Sequence, residues 1–324
     1  MDEEKALQGA KIVVNQWLKA NSRNKILIVT DETHRQEGLL IKSVSDDNGN
    51  KTDIMVTGQN GKLVGMHFDN HPYIFKGYDY IIGATDYSLV TTLAAKTAIS
   101  NGSGYLSLPL HTNNGKSMLE FDFMRCDTSK AKFLADLLIK KLNNCSVIHA
   151  TTQLGTDMYF YKKDRDAKFF NGVLTDCSRY SSASIEVYVP IEESKTYGKL
   201  ILDGSLGYIG AVTTPLQILF SNGKITQIED SPDGKRLKNF ISDYCDDNMY
   251  TASEFGIGLN ELSHCCGNCY IEDESALGTF HIGFGRNLAL GGFLKANGHF
   301  DLTTHKPDIY ADGVKIMHQG KIIF

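Results

Sequence analysis

Apolar and polar positions recur at different periods in the two halves of the chain. Leu7, Ile12, Val13, Trp17 and Leu18 fall at helical spacing between residues 3 and 20, and after a polar break KILIVTD at 25–31 is a short β-prone run. A helix followed by a strand is predicted. YDYIIGAT at 78–85 reads as a strand, SLVTTLAAKTAISNG at 88–102 as a helix closed by Asn-Gly, and YLSLPL as a return to extended chain. A third helix is predicted from Thr128 to Asn144, with Phe133, Leu134, Leu137, Leu138 and Leu142 on one face, leading into SVIHATT. Strand and helix in alternation imply a mainly parallel sheet with helical crossovers.

After about residue 150 helical periodicity nearly disappears. MYFYK, IEVYVPI, KLILDG, LQILFSNGKITQI, TFHIGFG, HFDLTTH and KPDIYADGVKIMHQGKIIF are short alternating runs separated by Gly, Asp and Asn. They predict antiparallel strands and hairpins, with turns at Ser221-Asn222-Gly223 and Ala311-Asp312-Gly313. One amphipathic stretch, Lys235 to Tyr250, reads as a helix. The expected fold is an α/β domain over residues 1–150 followed by a mostly antiparallel β domain over 151–324, with no long linker between them.

At 324 residues and 42% apolar content the chain can bury a core in each of two domains. A net charge of −5 without a run of basic residues gives no footprint for nucleic acid or an anionic membrane, and neither is expected as a partner. The acidic start MDEEKALQ is unlike a secretory signal and no long apolar run occurs, so a cytoplasmic protein is expected. The seven cysteines are odd in number and scattered, which predicts reduced thiols. His264-Cys265-Cys266-Gly267-Asn268-Cys269 offers one Cys-x-x-Cys pair where a structural zinc needs two, and it is read as loop or buried thiols. Neither a dinucleotide-binding nor a P-loop glycine pattern follows any early strand, which removes the usual nucleotide motifs.

The candidate chemistry lies mostly between Ala252 and Asp301. His299 and Asp301 are two apart in a strand-like run, so both turn to one side while Phe300 turns to the other. His281 in GTFHIGFG and Glu254 in SEFGIGLN are single ionisable groups among glycines and large apolar residues, where a buried charge is costly unless paired or bound to a cation. Glu186 in ASIEVYVPI has a similar setting, and an exposed strand position is the alternative. The remaining histidines, 34, 67, 71, 111, 149, 264, 305 and 318, show no comparable surroundings.

LGTDMYF, the Glu186 strand, LILDGSLG, SEFGIGLN, EDESALGTFHIGFG, HFDL and YADGVKI, in this order, resemble the leucyl aminopeptidase T family of metallopeptidases over most of the chain. The resemblance implies a dinuclear centre held by Glu186, Glu254, His281, His299 and Asp301, with zinc, cobalt or manganese as the ions, a small peptide as substrate and a homodimer as the assembly. A mixed oxygen and nitrogen donor set suits such metals. Two positions depart from the family. Leu288 stands where the peptidases have a tyrosine, and Ile185 where they tend to have a second glutamate.

The same superfamily contains the 2,5-dihydroxypyridine dioxygenases, whose single iron(II) is held by two histidines and an aspartate. His299 and Asp301 match two of those ligands, while Glu254 stands where the third is histidine and His281 has no counterpart. Three functions follow as expectations: an aminopeptidase or related amide hydrolase, an iron oxygenase acting on an aromatic or heterocyclic small molecule, and a catalytically silent metal-binding relative.

Overall fold

The computed structural model describes residues 1–58, 61–175 and 179–323; Cys177 lies outside them. The chain divides into two compact units, Met1–Cys126 with Phe170–Ser184, and Asp127–Phe169 with Ile185–Phe324. This is not the single crossing near residue 150 that the change of texture suggested. The helix Thr128–Asn143 packs on the strand Glu186–Pro190, and the strand Val147–Thr151 pairs antiparallel with Asp157–Tyr161 and Asp308–Ala311. The third helix and its strand therefore belong to the antiparallel unit. The buried face of that helix is Ala131, Ala135, Leu138 and Leu142, whereas Phe133 is 64% exposed.

The first unit is built on a five-stranded sheet in which every pair is parallel, in the order Lys51–Thr57, Lys25–Asp31, Tyr80–Ala84, Gly104–Ser107, Tyr180–Ser182. KILIVTD forms the second of these strands as predicted, with Ile26, Leu27, Ile28 and Val29 buried. A parallel strand carries apolar side chains on both faces because helices cover both. The N-terminal helix runs Glu3–Lys11 and continues as a wider π-helical turn, Ile12–Leu18, ended by Lys19 at φ 51°. The helix Leu93–Ser100 begins on Thr92, whose hydroxyl accepts from Ala95 N–H.

The loops that leave the carboxyl ends of these strands carry a polar network. Asp31 accepts from the backbone N–H of His34 and of Asp86, while Asp86 Oδ1 lies 3.1 Å from His34 Nε2 and 2.9 Å from His111 Nδ1. His34 and His111 are thus structural partners of carboxylates, which their sequence setting did not show. Burial opposes charge on His34, but its bonds to Asp86 and Glu37 prevail and raise its pKa to about 9.

The second unit has an eight-stranded and a five-stranded sheet, and the strand pairs established in both are antiparallel. Both predicted hairpins form. Asn222 and Gly223 have φ of 51° and 80°, and Asp312 and Gly313 have 44° and 82°, the pair of left-handed residues that a two-residue hairpin turn requires. The predicted helix from Lys235 is Pro232–Ser242, entered on Ser231, and a separate 3-10 turn covers Asp247–Tyr250.

Candidate metal centre

The site is written on one face of the five-stranded sheet, ordered His299–His305, Thr279–Gly285, Ala252–Gly258, Glu186–Pro190 and Lys168–Phe170. Side chains alternate between the faces of a strand, so FHIGFG and EFGIG each separate large apolar residues from a ligand and its glycines. Phe255, Ile257, Phe280, Ile282, Phe284, Phe300 and Leu302 are fully buried. At about 1.5–3 kcal/mol for each such side chain, this packing offsets the cost of burying ionisable groups next to it.

Cross-strand register explains the glycines. Gly256 lies opposite His281, and Gly283 lies opposite both Glu254 and Asp301. A Cβ on Gly256 would come 1.9 Å from His281 Nε2, and one on Gly283 would come 2.9 Å from both Asp301 Oδ1 and Glu254 Oε2. The side chains of His281, Glu254 and Asp301 thus lie over residues that have none.

All five candidate residues lie in the second unit, are buried and come together. Glu186, Glu254 and His281 form one group, and Glu254, His299 and Asp301 form another, with donor atoms within 4.8 Å of one another in each. Glu254 is common to both. His281 Nε2 is 2.7 Å from Glu186 Oε2, and His299 Nε2 is 3.3 Å from Glu254 Oε2 and 3.5 Å from Asp301 Oδ1. His299 Nδ1 lies 3.0 Å from the carbonyl oxygen of Arg286, a bond in which the ring N–H donates and which turns Nε2 towards the carboxylates.

Without an ion, the imidazoles and carboxylates share protons. Burial disfavours charge on both histidines, yet the Glu186 charge beside His281 and the Asp301 charge beside His299 raise them to about 9 and about 10. Glu254 is pushed up to about 7, first by burial, then by the Asp301 and Glu186 charges, against the opposing pull of His299. An ion taking these donors replaces those protons. His281 Nδ1 is buried without a hydrogen-bond partner among the described residues. Three carboxylates and two imidazoles, closely spaced and buried, fit one or more divalent cations.

Three residues that the sequence reading passed over border this cluster. The Tyr270 hydroxyl donates to Asp301 Oδ2, and Tyr188, opposite Gly256 in register, is fully buried with the Glu254 and Glu186 charges near it. Glu274, on the short helix Tyr270–Ser275, is buried, and burial first, then the charges of Glu186, Asp301 and Glu254, keep its carboxyl well above the usual carboxylate range. The only sequence signal for this helix was EDES beside apolar residues; the fold buries Glu272, Asp273 and Glu274 alike. Ile185 is buried, and its N–H donates to Ser275 Oγ at 3.0 Å. Cys265, Cys266 and Cys269 form no disulfide. Among the described residues no helix is long and apolar enough to cross a membrane.

Among the solved structures that share this fold, two carry the comparison. 2,5-Dihydroxypyridine dioxygenase from Pseudomonas putida KT2440 superposes with a TM-score of 0.79 at 14% identity, covering 100% of this chain and 98% of its own. AmpT from Thermus thermophilus, a leucyl aminopeptidase T, gives a TM-score of 0.62 at 14% identity, covering 99% of this chain and 98% of its own. No curated protein matches the sequence. The family pattern described as 2,5-dihydroxypyridine 5,6-dioxygenase (NicX) matches residues 126–324, a span that contains all five clustered residues and the helix beside them. On that match the chain belongs to the 2,5-dihydroxypyridine 5,6-dioxygenase family.

Proposed function

We propose that the chain is a metal-dependent hydrolase of amide bonds in small peptides or similar small molecules, built around two divalent ions, with Glu186, Glu254, His281, His299 and Asp301 as ligands. The observation that carries this reading is the sharing of Glu254 between two donor groups, the arrangement expected of a carboxylate that bridges two ions. When bound, two zinc, cobalt or manganese ions supply Lewis acidity towards an amide carbonyl and lower the pKa of a water.

The chain's own groups supply the geometry. Arg286 fixes the orientation of the His299 ring through its carbonyl, Tyr270 holds one oxygen of Asp301, and the apolar face behind the sheet keeps the ligand strands rigid. By the resemblance, His281 has no counterpart in the three-ligand iron site of the dioxygenases, and Glu254 stands in the place of one of its histidines.

A second reading is favoured by a different observation. The family match and the TM-score of 0.79 support an iron(II) oxygenase acting on a hydroxylated nitrogen heterocycle. Purified protein reconstituted separately with zinc, cobalt, manganese and iron(II) separates the two. Release of amine from aminoacyl amides with zinc, cobalt or manganese supports hydrolysis. Oxygen uptake with iron(II) and 2,5-dihydroxypyridine, without amide cleavage, would overturn it in favour of the oxygenase.

A further inference from the structure

LILDGSLG and the residues after it have no place in the ligand set, yet they are bound tightly to it. Asp203 accepts from the N–H of His305, and Ser205 exchanges backbone hydrogen bonds with Thr303 at 3.0 and 3.1 Å. The loop thereby pairs with the outer edge of the strand that carries His299 and Asp301. Gly207 sits at φ 65°, and a Cβ there would come 2.6 Å from the Asp301 carbonyl oxygen. Only a glycine lets the loop pass this close.

Two contacts tie the loop to the short helix. Ser205 Oγ donates to Asp273 Oδ2 at 2.7 Å, and Asp273 Oδ1 accepts from the N–H groups of Cys266 and Gly267, both at 2.9 Å. Tyr208 stacks on Tyr270 with ring centroids 3.9 Å apart and planes 13° from parallel. Both rings are buried, and at the end of this brace the Tyr270 hydroxyl meets Asp301 Oδ2.

We propose that Tyr270, braced by Tyr208, is a positioning residue for the metal centre, fixing Oδ2 of Asp301 so that Oδ1 is the oxygen presented towards His299 and the ion. This rests on the metal-binding reading above. The loop at 203–210 and the helix Tyr270–Ser275 then form one buttress, with the geometry of Asp301 as its product. A phenol at this place acts by holding a ligand, so its removal changes the affinity and coordination of the ion and not only turnover.

The test uses the full chain stripped of metal and titrated with cobalt(II) against a fluorescent chelator, with the visible cobalt spectrum recorded at saturation. Tyr270→Phe keeps the stacked ring and removes the donor; it is expected to weaken cobalt binding by about 10–100-fold and to alter the spectrum, while the metal-free chain still unfolds in a single cooperative transition. Tyr208→Phe, which keeps a ring under Tyr270, is expected to bind like wild type. Wild-type affinity and spectrum in Tyr270→Phe, or an equal loss in Tyr208→Phe, would overturn the proposal while leaving the metal centre standing. No cobalt binding by the wild type would overturn the metal-binding reading and this proposal with it. Should Tyr270→Phe not fold, Tyr208→Leu removes the brace and leaves the phenol. A smaller loss of affinity is expected there, and wild-type affinity counts against the proposal.

Discussion

The His281 imidazole fills the space that a side chain on Gly256 would need: a Cβ there would lie 1.9 Å from its Nε2. The two residues are register partners on adjacent strands, so the glycine is part of the site although it donates nothing to it. Gly256→Ala is expected to displace the ring, destabilising the fold by about 1–3 kcal/mol and weakening metal binding. Chemical denaturation and a metal titration check the two effects. A variant with wild-type stability and affinity would show that His281 has another home.

Glu254 belongs to both donor groups and is therefore the least replaceable carboxylate. Glu254→Ala is expected to lower metal stoichiometry more than Glu186→Ala, which touches only one group. Elemental analysis of the two purified variants decides it, and full metal content in Glu254→Ala would remove Glu254 from the site.

By its resemblance to the leucyl aminopeptidases T, the chain carries Leu288 in the place of a tyrosine. If the centre hydrolyses amides slowly for want of that group, Leu288→Tyr is expected to raise the rate of aminoacyl amide cleavage at unchanged metal content. An inert variant with normal metal loading favours the non-peptidase readings, the oxygenase or a catalytically silent metal-binding protein.

In the first unit, His34 is raised to about 9 by Asp86 and Glu37 against the effect of burial. A histidine raised on folding contributes stability that is fully present below its unfolded pKa near 6.5 and is lost as pH rises through about 9. Asp86 is lowered, so its contribution is lost in acid instead. With partial exposure discounted, the His34 effect amounts to about 1–3 kcal/mol. Denaturation midpoints of the metal-free chain at pH 6 and pH 9.5 are expected to differ less in His34→Gln than in wild type; equal differences would contradict it.

Period and glycine placement carried most of what was legible in the sequence. KILIVTD, the two Asn-Gly and Asp-Gly hairpins, and the alternation in SEFGIGLN, TFHIGFG and HFDL each specify a local conformation, and the clustered residues follow from strands that pair in register. Elements between residues 32 and 77, including the helix Arg35–Asp47 and the strand Lys51–Thr57, went unread because their polar positions outnumber their apolar ones. The assignment of the helix Thr128–Asn143 to the second unit depends on pairings more than a hundred residues away, such as Val147–Thr151 with Asp308–Ala311. Tyr188, Tyr270 and Glu274 were missed because their neighbours in the site lie on other elements of the chain. Nothing local marks Tyr270 as the partner of a carboxylate thirty-one residues on.

The central claim is a centre of two ions sharing Glu254, and the number of ions bound per chain tests it most directly. Metal-stripped protein reconstituted with zinc, cobalt or manganese, freed of excess and measured for metal and protein together, is expected to hold two ions per chain. One ion per chain across all metals, or none, would contradict it.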